Sequence, residues 1–177
     1  MSIDTDKWTV YNLDPDKVRI HKVITIDLIT RNGDIAASFT RNMVISKKGL
    51  ISGIFGFTMS SVRFKSLDLY HACGLYVDEN NRIELYRSFS GNKQMNYRIV
   101  TGGSTAYEVA DVDNDFGKFE VRVTDANVIS LWKWNGSGWI QIGANQTYSL
   151  GTKYLFASSL GGNMGKLSIS YCYIKTW

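Results

Sequence analysis

Phe119 to Ile142, FEVRVTDANVISLWKWNGSGWIQI, decides the fold. Phe119, Val121 and Val123 alternate with Glu120, Arg122 and Thr124, the period-2 pattern of a strand buried on one side. Asp125-Ala126 predicts a turn, after which Ile129 and Leu131 continue the buried phase. Val128, Ser130, Trp132 and Trp134 take the other phase. Asn135-Gly136-Ser137-Gly138 predicts a second tight turn. Trp139 and Gln141 then alternate with Ile140 and Ile142. The reading is a three-stranded antiparallel meander with its tryptophans turned away from the core.

The rest of the chain extends this pattern. Strands are expected at Trp8–Asn12, Val18–Arg31, Ile35–Thr40, Met43–Ser46, Ile54–Phe64, Leu69–Val77, Arg82–Arg87, Met95–Val100, Tyr107–Ala110, Tyr154–Ser158 and Lys166–Lys175. Gly53 and Gly56 mark a bulge or bend. Lys47-Lys48-Gly49 predicts a break. In the last strand Leu167, Ile169, Tyr171 and Tyr173 share one face. No window keeps helical apolar spacing through three turns. Regular strands with turn residues between them predict an all-β, antiparallel two-sheet sandwich or barrel. At 177 residues the chain suits a single domain, residues 1–177, with its core within roughly 8–175.

Composition narrows the function. The net charge of +4 is mild and the basic residues are scattered, so no nucleic-acid-binding face is expected. No apolar run approaches membrane-spanning length. The first residues lack a signal-peptide pattern, which predicts synthesis in the cytoplasm. Cys73 and Cys172 lie in apolar strands and read as free buried thiols; they would pair only if their strands are neighbours. Asp111, Asp113 and Asp115 begin a calcium-loop pattern, but Phe116 replaces its glycine and Arg122 its bidentate glutamate. A solvated turn is favoured over a Ca²⁺ site, and no cofactor is expected.

The run Gly74-Leu75-Tyr76-Val77-Asp78-Glu79-Asn80-Asn81-Arg82-Ile83-Glu84-Leu85, with Phe119–Val123 and the Lys166–Ile169 strand, resembles the concanavalin A-like lectin/glucanase superfamily. The resemblance implies a jelly roll of two curved sheets, the concave one often carrying a sugar site. Glucan-cleaving members resemble one another in a Glu-x-Asp-x-(x)-Glu strand, which this chain lacks. Glu84 and Glu120 stand alone beside Arg82 and Arg122 and read as solvated cross-strand pairs. Polysaccharide lyases of similar fold use a Gln-x-His grouping, and Gln141-Ile142-Gly143 lacks the histidine. His71 reads as structural. No enzyme is expected.

The binding candidates are Trp132, Trp134, Trp139, Tyr76, Tyr86, Glu84 and Arg122, all in the outward phase. Flat aromatic rings beside charged groups suit sugars, protein partners, or the chain's own covering loops. The main expectation is a non-enzymatic bacteriophage virion protein (capsid decoration, head fibre or tail) binding virion proteins, a second copy or host glycans. The alternatives are a stand-alone carbohydrate-binding module and a polysaccharide hydrolase or lyase with an unrecognised site.

Overall fold

Alternating apolar and polar residues form strands almost throughout the computed structural model, which describes residues 6–11, 18–21, 25–30, 43–64, 69–88, 95–113, 117–161 and 165–177. They are β1 (Trp8–Tyr11), β2 (Val18–His21), β3 (Thr25–Thr30), β4 (Met43–Leu50), β5 (Gly53–Phe64), β6 (Leu69–Asp78) and β7 (Asn81–Ser88). The second half supplies β8 (Met95–Thr101), β9 (Ser104–Asp113), β10 (Lys118–Val123), β11 (Val128–Trp134), β12 (Trp139–Thr147), β13 (Lys153–Gly161) and β14 (Gly165–Lys175). Two seven-stranded sheets result. The front sheet has the order β1-β4-β13-β6-β7-β8-β9 and the back sheet β12-β11-β10-β5-β14-β3-β2.

The sheets stack through one phase of their strands. Leu75, Ile83, Leu85, Tyr97 and Ile99 from the front meet Phe55, Phe57, Phe119, Val121, Ile129 and Leu131 from the back. Each sheet therefore keeps an outer face for its other phase.

The meander over 119–142 forms as its sequence predicts. Asn127 adopts a φ of 59°, which Asn tolerates better than most residues, and its N–H donates to the Thr124 carbonyl to close the first turn. Asn135 Oδ1 accepts from the N–H groups of Ser137 and Gly138 at 3.0 and 2.9 Å, closing the second. Ile140 departs from its assigned role: it stands in the core phase but is 47% exposed, because the strand end overhangs the core.

Four features differ from expectation. Val18–Arg31 is not one strand; β2 and β3 pair antiparallel, Val18 opposite Leu28 and His21 opposite Thr25. Met43–Ser46 does not stop at the lysine pair, because β4 runs to Leu50. Gly49 allows this: the Tyr154 ring covers it, and a Cβ there would stand 2.6 Å from that ring. Third, Asp111 and Asp113 lie within β9 rather than in a turn. Fourth, β14 slips register between Ser170 and Tyr173, so Cys172 and Ile174 pack on the core and Tyr173 points out. The expected strand Ile35–Thr40 lies outside the described residues, as does Asp115.

Cys73 and Cys172 are free thiols on different sheets, β6 and β14. Both line one small cavity with Trp8, Phe57 and Leu155. Burial pushes both thiols above their usual range. Lys153 is fully buried, and its Nζ donates to the Ile51 and Gly151 carbonyls at 2.7 Å each. Desolvation lowers its pKa, and the two carbonyls hold the head group where the β4–β5 turn meets the loop before β13.

The two apolar positions Leu131 and Ile140 test this packing. Leu131→Ala should cost about 2–5 kcal/mol in urea denaturation, because Leu131 is wholly enclosed. Ile140→Ala should cost less than about 0.5 kcal/mol, as surface changes do. Equal losses at both positions would contradict the difference in burial between the middle and the end of the meander.

Candidate functional site

Each outer face carries a glutamate removed from water. On the front sheet the residues paired across one rung are Ile45, Phe156, Gly74, Glu84, Arg98 and Glu108, from β4, β13, β6, β7, β8 and β9. Glu84 is fully buried rather than solvated, which corrects the sequence expectation. Arg98 donates from Nε to Glu84 Oε1. Arg82, two residues before Glu84 and on the same face, places its Nε 3.3 Å from Oε2 as an ion pair without hydrogen-bond geometry. Two guanidinium groups thus compensate one buried carboxylate.

The neighbouring rung adds Tyr86, opposite Ala72 and Asn96. Its hydroxyl donates to Glu108 Oε1, and the Arg98 guanidinium lies 4.3 Å over its ring. Glu108 itself is exposed. Tyr76 and Phe156 pack with ring centroids 5.9 Å apart. With Met43, Ile45, Ala72, Tyr86 and Tyr154 they form a second apolar cluster, on the outer side of the front sheet.

The back sheet repeats the theme with other parts. Glu120, 3% exposed, stands opposite Trp132 on one side and Gly56 on the other. Gly56 in turn faces Tyr173. A Cβ at Gly56 would collide with the Tyr173 ring, so the missing side chain lets that ring lie across the strand. The Tyr173 hydroxyl then donates to Glu120 Oε1, while Arg122 donates from Nε to Oε2 at 2.8 Å. Burial and this bond push the Tyr173 pKa up. Arg122 lies 4.3 Å over the Trp132 ring and 5.7 Å from that of Trp139. Trp132 Nε1 donates to Ser130 Oγ at 2.8 Å, and Trp134 meets Trp139 edge-on at 5.6 Å.

The residues singled out in the sequence therefore form two groups. Tyr76, Tyr86 and Glu84 lie on the front sheet's outer face. Trp132, Trp134, Trp139 and Arg122 lie on the back sheet's, with the core between the two groups. Arg98, Glu108, Glu120 and Tyr173 complete the two sites and were missed as binding residues. Tyr173 was hidden by the register slip in β14, and Arg98 and Glu108 by the unknown strand order. Among the described residues no group of three metal-ligating side chains could hold an ion. The side chains of Asp111 and Asp113 lie outside what is described.

No protein-family model matches the chain, and no curated protein matches its sequence. Solved structures do match its fold. A Bacillus licheniformis β-glucanase superposes with a TM-score of 0.68 at 10% identity, over 99% of this chain and 94% of that one. LamAcat from Zobellia galactanivorans gives 0.70 at 10% identity, over 98% and 92%. A Bacteroides ovatus GH16 protein of a mixed-linkage glucan PUL, in complex with a G4G4G3G product, gives 0.68 at 13%, over 98% and 96%. The fold is thus the expected all-β antiparallel jelly roll of the concanavalin A-like type. The expectation of a non-enzymatic virion protein is corrected. These neighbours are mostly characterised glucan hydrolases, and none of those named is a virion component.

Proposed function

We propose that this chain is a polysaccharide hydrolase acting on a β-glucan, with its active face on the outside of the front sheet. The observation that carries the reading is the rung Glu84–Arg98–Glu108 beside the aromatic residues Tyr76, Tyr86 and Phe156. Glycoside hydrolysis needs two carboxyl groups at a set separation. On β7 the outward positions read Arg82, Glu84 and Tyr86, one acid in three, so a pair has to be assembled across strands. Glu84 and Glu108 lie two strands apart, and neighbouring strands are spaced about 4.8 Å, giving backbone rows about 9.6 Å apart. Carboxyl groups on rows that far apart, with Arg98 between them, fall nearer the about 6.5–9.5 Å of inverting enzymes than the about 5–5.5 Å of retaining ones.

The roles follow from the surroundings. Glu84, paired with Arg82 and Arg98, is the base that draws a proton from attacking water. Glu108 faces solvent and gives its proton to the departing glycosidic oxygen. As the water oxygen bonds to the anomeric carbon, the bond to the leaving sugar breaks. One water is consumed and the anomeric configuration inverts. Tyr86 orients Glu108. Its pKa is pushed up to about 12, first by burial and then by its bond to Glu108, so it keeps its proton at neutral pH.

Two predictions follow from these assignments. The purified chain should release reducing ends from laminarin or mixed-linkage glucan, with inverted product by NMR. Glu84→Gln and Glu108→Gln should each lower kcat by about 10²-fold or more, as loss of an acid or base does. A native chain that releases no reducing ends from either glucan overturns the reading. For Tyr86, a folded pKa of about 12 against 10.0 unfolded means its contribution is intact below pH 10. That contribution is lost as pH rises from 10 through 12. Urea denaturation across that range should show a loss in the native protein that is smaller in Tyr86→Phe.

A further inference from the structure

The back sheet carries a second aromatic face that the hydrolytic reading does not use. The core separates it from Glu84 and Glu108, so no side chain serves both. We propose that the outer face of β10, β11 and β12 is a separate binding platform for a neutral polysaccharide chain, formed by Trp132, Trp134, Trp139 and Gln141 around the Arg122–Glu120 pair.

Three observations carry this. First, all three indoles are only half-buried, although they sit on a sheet whose core side is closed. Second, their orientation is fixed before any ligand arrives. Trp132 is tied by its bond to Ser130 and by the Arg122 guanidinium stacked 4.3 Å over it. Trp134 and Trp139 hold each other edge-on across the Asn135–Gly138 turn. A preorganised aromatic surface loses little freedom on binding. Third, the charges on the platform cancel internally. Arg122 pairs with Glu120 at 2.7 Å, and Glu120 is buried and also bonded by Tyr173. Beside the indoles a charged partner meets only this closed pair, the Lys175 ammonium standing apart at the platform's far end, 4.9 Å over the Tyr173 ring, whereas a neutral sugar offers apolar C–H faces to the indoles. Its hydroxyls can meet the exposed Gln141 amide, which the chain otherwise bonds to Asn145 Oδ1 at 2.8 Å. From β12 to β10 the platform crosses two strand intervals, about 9.6 Å, and continues over Gly56 to the Tyr173 ring.

The platform does not depend on hydrolysis, and the test keeps the two apart. Retention of the full chain in native gels containing laminarin or mixed-linkage glucan is compared with that of Trp132→Ala, Trp139→Phe and Gln141→Ala. Trp132→Ala should weaken retention about tenfold or more, the equivalent of about 1.4 kcal/mol. Release of reducing ends from a short soluble oligosaccharide should stay within about twofold. Trp139→Phe keeps an aromatic ring in the cross-strand pair and should weaken retention only slightly, and Gln141→Ala should do so moderately. If Trp132→Ala unfolds, acrylamide quenching of the native protein decides instead. Added glucan should shield the tryptophan fluorescence in the Glu84→Gln protein as well as in the native one. Unchanged retention in both Trp132→Ala and Gln141→Ala, or no shielding by glucan, overturns the platform. So does concentration-dependent self-association that Trp132→Ala abolishes while glucan has no effect, because a second copy then occupies the face. Retained, tryptophan-dependent glucan binding in a chain that releases no reducing ends would overturn the hydrolase and leave the platform standing.

Discussion

A carboxylate withdrawn from water stays ionised only where cations and donors replace its hydration shell, and both outer faces are organised around that demand. Glu84 meets it with Arg82 on its own strand and Arg98 on the next. Glu120 meets it with Arg122 on its own strand and the Tyr173 hydroxyl two strands away. Each solution depends on register. One residue of slip in β8 would send Arg98 into the core and bring Ile99 or Tyr97 out, leaving a buried charge with half its compensation. The paired glutamates therefore act as register marks for the strands around them. Breaking one partner is costlier than the net worth of the pair, because the remaining charge is stranded.

A glycine stands beside each glutamate, and the two serve differently. On the back sheet Gly56 makes room for the Tyr173 ring, which crosses to reach Glu120 and seals it. On the front sheet Gly74, with φ of 153°, sits between Phe156 and Glu84. A Cβ at Gly74 would meet the Ile83 carbonyl rather than a ring. Among the described residues Glu84 is covered by the two arginines Arg82 and Arg98. The two faces thus bury a glutamate by different means, two arginines on the front and an arginine with a tyrosine on the back.

Much of the fold was legible because burial on one side of a strand imposes a period of two. Ile129, Leu131, Phe119, Val121 and Val123 were all assigned inward from alternation alone, and all are enclosed. The hairpin pairing of Trp134 with Trp139 was equally readable, since turn chemistry sets register over a few residues. Strand order was not. Nothing local to Arg98 or Glu108 says that β8 and β9 follow β7 across the sheet, so the rung that assembles the candidate acids could not be seen. Bulges hid the rest. The slip before Tyr173 reverses the phase of the last strand, and a single unpaired residue leaves no compositional trace. The two glutamates misled for a related reason: Glu beside Arg in alternation looks the same whether the pair is solvated or enclosed.

The same geometry decides which acids can cooperate. Glu84 and Glu120 project from opposite outer faces of sheets that pack about 10 Å apart, so their carboxyl groups cannot share a substrate bond. Glu108 is the acid that shares a face and a rung with Glu84, and Arg98 stands between them. That arginine faces both ways. It donates from Nε to Glu84 on one side and stacks on Tyr86, which holds Glu108, on the other. Tyr86 lies with its ring under the Arg98 guanidinium, where the π face takes up part of the positive charge. Its hydroxyl meanwhile holds a proton against Glu108 Oε1. With Arg82 included, this cluster sets two guanidinium groups against two carboxyl groups, a setting suited to an uncharged glucan. A charged substrate would have to displace one of those ion pairs first.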